Sequence, residues 1–298
     1  MSPAKIALKA LHRHFTVFHR YYRTACDKGT VRSIHQLRTN ARRFRNALKT
    51  YSLLFDKAAV KRFNRLLQVT AQEASQLRDL DVYLLFLQDY KSKLRSDVQR
   101  QSIRDLLADL RRQRAALQPA VSRALRKYAA RLSADKVVGV LERKMKKADA
   151  EVAHTMMDIF HRRVEKSTHH LLAYNVIVPY PEKKTELHEM RKCAKHLRYT
   201  LEGIRPYFDV RLELYIGRVY FFHKILGDIH DCDVWLDMLS RYRAAYKMNS
   251  DMGNSLNVLY NYLKKVRDSR YRIFVQRWHR ALQSRHFEEM LEFVYAHH

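Results

Sequence analysis

The residues of this sequence that could do chemistry are basic side chains at helical spacing. Between positions 35 and 49 they are His35, Arg38, Arg42, Arg45 and Lys49. On a helix these side chains fall within a stripe about 80° wide, and Arg43, also a candidate, stands apart from it. Guanidinium groups bind phosphate oxygens through paired hydrogen bonds, and ammonium groups bind them as point charges. The pattern therefore predicts a binding site for an extended anion.

The apolar residues of this segment form a second stripe that adjoins the basic one. They are Leu37, Ala41, Phe44 and Leu48, at about 180° to 240° from His35 on the helix. The basic stripe thus borders the core-facing side of the helix. A solvated helix face normally mixes acidic and basic residues, whereas like charges repel along a purely basic face. We therefore interpret the stripe as a ligand-binding surface.

A second copy of the basic pattern follows 153 residues later. It consists of His188, Arg191, Lys195 and Arg198. Glu202 occupies the position that Lys49 has in the first copy. Another pair of similar segments, 78–82 and 230–234, is separated by 152 residues. Two motifs in the same order at nearly the same offset predict an internal duplication.

The duplication predicts an all-α fold of two helical bundles related by a pseudo-two-fold axis. We expect one domain, 1–298, with repeats of about 1–148 and 149–298 and with long helices that line a basic central groove or channel. Weaker basic patterns supply further candidate contacts. They are Lys5, Lys9, His12 and Arg23 in the first half, and Arg162, Lys166 and His169 in the second.

The composition favours helices, because only 6 Gly and 5 Pro occur among 298 residues. Average usage is about three times higher, and sheet proteins need many Gly- and Pro-containing turns. We therefore exclude sandwiches, barrels and Rossmann folds. Periodicity predicts a bend near Asp79 and a kink or break at Pro119. The expected helices cover 3–24, 32–54, 56–90, 97–132, 136–147, 150–174, 185–208, 211–247, 253–284 and 287–296.

The charge balance predicts a polyanionic partner. The chain has 58 Lys and Arg against 30 Asp and Glu, a formal net charge of +28. Such a surplus is typical of proteins that bind nucleic acid, polyphosphate or an anionic membrane surface. No apolar stretch approaches 18 residues, and the N-terminus lacks the apolar run of a signal peptide. We expect a cytoplasmic protein with no membrane span and no obligate protein partner.

Four aspartates form two closely spaced pairs, Asp79 with Asp81 and Asp231 with Asp233. Paired carboxylates can hold a metal for phosphoryl chemistry, but the further His and Asp ligands of such a site are missing. The three cysteines have no metal-ligand spacing. We therefore expect no metal, no cofactor and no catalysis, and we assign the aspartates to helix capping and to orienting basic residues.

These motifs resemble those of the CHAD domain, the conserved-histidine α-helical domain. Segments 35–45 and 188–198 are similar to its histidine–arginine motif, and segments 77–82 and 226–234 to its second motif. His196, His223 and His230 depart from the usual residues. The resemblance covers essentially the whole chain. It implies two similar helical bundles around a basic channel, binding of inorganic polyphosphate, and association with polyphosphate granules.

The alternative function is binding to the phosphate backbone of DNA or RNA, which net charge alone cannot distinguish from polyphosphate binding. Single-strand binders interleave aromatic and basic residues. Here Phe15, Phe18 and Phe44 belong to the apolar stripes instead. We therefore expect a non-catalytic polyphosphate-binding protein that also binds nucleic acid nonspecifically. The histidines predict tighter binding as the pH falls through their titration range.

Overall fold

The structure is a computed structural model that describes residues 3–143, 145, 150–244 and 250–296. Within these ranges the secondary structure is entirely helical, which confirms the predicted all-α class. The chain forms two compact units, Met1–Met156 and Met157–His298. The boundary falls inside a helix, close to the predicted repeat boundary at 148. The internal duplication itself stays a prediction.

Each unit consists of long helices joined by short connections. In the first unit the helices are α1 (Pro3–Asp27), α2 (Val31–Thr50), α3 (Lys57–Glu73), α4 (Ser75–Ser92), α5 (Asp97–Arg126) and α6 (Ala134–Arg143). Helix α7 (Ala150–Leu172) crosses the boundary. The second unit continues with α8 (Lys184–Ile204), α9 (Leu212–Ala244), α10 (Asp251–Gln283) and α11 (His286–Tyr295). Short 3-10 turns follow α2, α5, α7 and α8.

Several predicted boundaries are wrong, and among them the helix expected over 185–208 ends at Ile204. The helix expected over 56–90 is interrupted at Ala74, five residues before the expected bend at Asp79. The helix expected over 97–132 continues past Pro119 to Arg126, and a 3-10 turn follows. The helix expected to reach residue 54 ends at Thr50. The expected helix ends at 147 and 247 lie outside the described residues.

The two basic helices begin differently. Before α2, Gly29 adopts a φ of +52°, a left-handed conformation that suits glycine, and it separates α1 from α2. Thr30 then caps α2, because its Oγ1 accepts a hydrogen bond from the amide of Ser33 at 3.1 Å. Helix α8 has no side-chain cap. The two helices share another feature. A backbone carbonyl just before each of them accepts a hydrogen bond from an arginine of the same unit.

A buried ion pair fixes the start of the basic helix in each unit. In the first unit Asp81 of α4 is fully buried and lies 2.5 Å from Nε of Arg114 on α5. The same guanidinium donates to the carbonyl of Gly29 at 2.7 Å. We call this set of contacts the Asp–Arg brace, since it ties α4 and α5 to the turn from which α2 begins.

The second unit repeats the brace. Nε of Arg267 on α10 lies 3.1 Å from Oδ1 of Asp233 on α9. Its Nη2 donates to the carbonyl of Pro181, at the turn that precedes α8. Both side chains are buried. The two units therefore use the same residue types to hold the beginnings of α2 and α8.

The brace predicts a large stability difference between two aspartate variants of α4. Asp81→Ala leaves the partly buried Arg114 without its counter-charge, and we expect it to lower the free energy of unfolding by about 3 kcal/mol. Asp89→Ala removes an ion pair with Lys93, in which both side chains are exposed, and should cost less than about 1 kcal/mol. Urea unfolding followed by circular dichroism measures both. Equal losses would contradict a supporting role for the brace.

Candidate anion-binding site

The basic stripe of α2 lies against the junction between α3 and α4. Arg38 donates from Nη1 to the carbonyl of Ala71 at 2.6 Å, and it also contacts the hydroxyl of Ser75. Carbonyls in the last turn of a helix lack intrahelical partners and carry partial negative charge. The interruption at Ala74 thus creates the acceptor that holds Arg38 in place.

Four basic side chains converge where α2 passes α4. The pKa of His35 is lowered by burial and by the positive charges of Arg78, Arg42 and Arg38, in that order. Three arginines therefore lie close enough to His35 to lower its pKa. Arg78 on α4 is a site residue that sequence analysis did not assign, although it lies in the segment matched to 230–234. We call His35, Arg38, Arg42, Arg45, Lys49 and Arg78 the α2 basic face.

Arg45 extends this face away from His35. Its Nη2 donates to Oε1 of Gln68 on α3 at 3.0 Å. Its Nε is buried and has no hydrogen-bond partner among the described residues. Burial and the charge of Arg42 lower the pKa of Arg45. A buried charged donor without an acceptor is unfavourable, so an anion that supplied one would be stabilised here.

The corresponding cluster of the second unit contains two histidines whose rings are in contact. The ring centroids of His188 on α8 and His230 on α9 are 3.9 Å apart. The pKa of His230 is lowered to about 4, first by burial and then by His188, Arg191 and the two neighbouring lysines of α8. Nδ1 of His188 has no hydrogen-bond partner among the described residues. We call His188, Arg191, Lys192, Lys195 and His230 the α8 basic cluster.

Arg191 lies against a buried glycine of α9. A Cβ atom built on Gly227 would be 3.3 Å from Nε of Arg191, so a larger residue would have to displace the guanidinium. Gly227 follows Ser75 by 152 residues, and Ser75 is the residue that Arg38 contacts. Each unit therefore places the first arginine of its stripe against the same point of the facing helix. Lys192 and His230 join this cluster although sequence analysis did not include them in the site.

Arg198 occupies a different environment from Arg45, its counterpart in the first copy. Only 7% of the residue is exposed, and its Nε lies 3.2 Å from Oε1 of Glu202. The guanidinium also lies over the rings of Tyr199 and Tyr220, at 4.5 and 5.2 Å. A carboxylate therefore already balances its charge, and the predicted role of Arg198 as a ligand contact stays a prediction. His223, one of the departures from the family pattern, hydrogen-bonds with Arg198.

The remaining candidates are distributed over other surfaces of the two units. His12 lies 2.5 Å from Glu142 of α6, so its ring is directed towards that helix. Arg43 affects the pKa of His14, which burial lowers to about 4, and therefore faces α1. The other candidates are exposed on α1 and α7, where they are Lys5, Lys9, Arg23, Arg162, Lys166 and His169. These positions stay predictions.

The four aspartates divide into two kinds. Asp81 and Asp233 are the buried members of the two braces. Asp79 is exposed and Asp231 is half-buried. Among the described residues, no three His, Cys, Asp or Glu side chains come together in a way that could hold a metal ion. None of the described helices is both long and apolar enough to cross a membrane.

The environment of His230 predicts an unusually acidic titration. We expect its ring to titrate at about pH 4 in the folded protein, compared with about 6.5 when unfolded. Since the unfolded state binds more protons between these values, stability should fall as the pH drops from 6.5 towards 4. NMR titration of the ring protons measures this midpoint, and His230→Gln identifies the resonance. A midpoint near 6.5 in the folded protein would contradict the description of this cluster.

Comparison with known proteins identifies the fold and the family. The sequence profile of the CHAD domain matches residues 9–240. The CHAD domain from the plant Ricinus communis has a similar structure, with a TM-score of 0.61 and 16% identity over 94% of this chain and 92% of that one. PptA from Streptomyces chartreusis gives a TM-score of 0.62 and 18% identity over 94% of this chain and all of that one. No curated protein sequence matches. The profile covers most of the chain, which therefore belongs to the CHAD domain family.

Proposed function

We propose that this protein binds inorganic polyphosphate and does not act on it catalytically. The CHAD domain family is associated with polyphosphate-related proteins. The observation that carries the proposal is the convergence of Arg38, Arg42 and Arg78 around His35, where α2 passes α4. An anion would offset the repulsion among these positive charges, and phosphate is an anion that arginine binds with two hydrogen bonds.

The shape of the α2 basic face suits an unbranched chain of phosphates. Residues 35 to 49 span about 21 Å along the helix axis at 1.5 Å per residue. Cationic groups recur at nearly every turn of this length, so an extended phosphate chain can meet several of them. The buried Nε of Arg45 adds a donor that needs an acceptor. None of these contacts reads a base or a sugar.

The α8 basic cluster offers a second surface of the same kind within the second unit. It brings Arg191, Lys192 and Lys195 beside two histidines whose pKa values are lowered. Bound phosphates would favour the protonated rings and oppose this lowering. The pH dependence of binding should therefore extend below the ordinary histidine range.

The absence of catalysis is part of the proposal and is supported by the placement of the carboxylates. Asp81 and Asp233 are buried and each is paired with an arginine, which leaves neither available to position a nucleophile or a metal. We further propose that the protein resides in the cytoplasm at polyphosphate granules, where its ligand would be concentrated. This location follows from the proposed ligand.

Calorimetric titration distinguishes polyphosphate from nucleic acid as the ligand. Long-chain polyphosphate, tripolyphosphate, duplex DNA and single-stranded RNA should be compared at about 0.2 M salt, where weak backbone binding is suppressed. We expect tight binding of long-chain polyphosphate and much weaker binding of both nucleic acids. Equal or tighter binding of DNA or RNA would overturn the proposal and identify a general backbone-binding surface.

Two arginines of the α2 basic face should account for a large part of this affinity. Replacing Arg38 and Arg42 together by Ala should weaken polyphosphate binding roughly 100-fold, since each removes a charge-assisted hydrogen bond. The affinity should also become less dependent on salt, because fewer counterions are released. Titration of this double variant across several salt concentrations measures both effects.

The matched control for this variant removes two exposed arginines from elsewhere in the first unit. Arg95→Ala with Arg123→Ala lowers the net charge by the same amount. We expect this control to bind polyphosphate within about threefold of the unchanged protein, because long-range charge effects are screened at this salt concentration. Circular dichroism should show unchanged helix content for both variants. Similar weakening by both would place the binding surface outside α2.

A further inference from the structure

A separate basic pocket lies in the second unit, where α9, α10 and α11 meet. It is a cavity of about 630 Å³ whose basic lining comes from Arg218, Arg277, Arg280 and His286. This volume lies within the range of small-molecule sites. None of the residues of the α8 basic cluster lines it. The pocket is therefore distinct from the surfaces proposed for polyphosphate.

His286 presents a hydrogen-bond donor that lacks an acceptor. The residue is only 1% exposed, and its Nδ1 lies 2.8 Å from Nη1 of Arg218. Because a guanidinium can only donate, Nδ1 must accept and the proton must reside on Nε2. That Nε2 is buried and has no hydrogen-bond partner among the described residues. Burial and Arg218 lower the pKa of His286 to about 4, so the ring is neutral near pH 7.

The charges of the pocket favour a ligand with about two negative charges. Arg277 and Arg280 are exposed on consecutive turns of α10, and neither has an ion-pair partner among the described residues. Three guanidinium groups face one carboxylate, that of Glu289. The resulting surplus of two positive charges matches a phosphate monoester, which carries between one and two negative charges at pH 7.

Apart from Ser284, the rest of the pocket lining is apolar, which distinguishes the pocket from a site for a bare anion. Phe221, Phe222 and Ala281 contribute to its lining. Phe222 is buried and packs edge-on against Trp278, with ring centroids 5.2 Å apart, so this wall is held by the core. An organic group attached to the phosphate would gain contact with this apolar surface.

We propose that this pocket binds a small organic phosphate monoester. Arg218, Arg277 and Arg280 hold its phosphate, His286 donates to it from Nε2, and its organic group lies against Phe221. The occupant is limited in size by the cavity, unlike a long chain on the α2 basic face. This inference does not depend on polyphosphate binding.

Isothermal titration of the full chain with phenyl phosphate tests the proposal, with inorganic phosphate and phenol as comparison ligands. Phenyl phosphate contains both groups that the pocket recognises. We expect it to bind at least tenfold more tightly than inorganic phosphate, and we expect no heat from phenol. Equal affinity for phenyl phosphate and inorganic phosphate would overturn the proposal, because the apolar wall would then contribute nothing.

Variants of α10 locate the site. Arg277→Gln with Arg280→Gln should reduce phenyl phosphate affinity at least tenfold and leave polyphosphate binding to the α2 basic face intact. Both side chains are exposed, so the fold should be retained. Arg272→Gln on the same helix is exposed and does not line the pocket, and it should have no effect. Phenyl phosphate binding that survives the double variant but is lost with the Arg38 and Arg42 variant would overturn the proposal.

Discussion

The placement of each basic helix depends on one buried carboxylate. Asp81 and Asp233 each hold an arginine whose other nitrogen reaches the carbonyl before α2 or α8. Burial raises the pKa of the Asp233 carboxyl even though Arg267 opposes the shift. Desolvation thus offsets much of the attraction, as is common for buried ion pairs. The pair contributes most through geometry, because it fixes the point from which the basic helix starts.

The same helices must tolerate a high concentration of like charge. Three features of the structure limit the resulting repulsion. The histidines stay neutral because their pKa values are lowered. Arg38 is held by a carbonyl at the end of α3, where the helix dipole favours a cation. Arg198 is balanced by Glu202. The cationic groups can therefore stay in fixed positions before a ligand arrives.

Periodicity predicted the presence and the buried faces of α2 and α8, because their apolar stripes recur at the helical period. Leu37, Phe44 and Leu197 are all fully buried. The interruption at Ala74 carries neither Gly nor Pro and was not predictable from local sequence. The contacts of Arg38 with Ala71 and Ser75 lie at this junction. At Pro119 the sequence predicted a kink or break that does not end the helix. This proline lies within the continuous helix α5.

Helical periodicity predicted the site residues that lie on one helix, but not the residues that a neighbouring helix contributes. Arg78 and Lys192 contribute through the packing of neighbouring elements, which residue spacing within one segment does not encode. Arg198 matched the pattern, yet Glu202 and the adjacent tyrosine rings already engage its guanidinium. The brace arginines, Arg114 and Arg267, do carry a signal in the sequence. They are separated by 153 residues, the same offset as the basic motifs.

The contrast between Arg45 and Arg198 makes the basic surfaces of the two units chemically unequal. One end of the α2 basic face has an unsatisfied guanidinium nitrogen and an exposed Lys49. At the equivalent end of the α8 stripe, Glu202 forms an ion pair with Arg198. Under the proposed function, the α2 basic face would therefore be the tighter of two separate anion-binding surfaces, because it offers a guanidinium donor that only a ligand would satisfy.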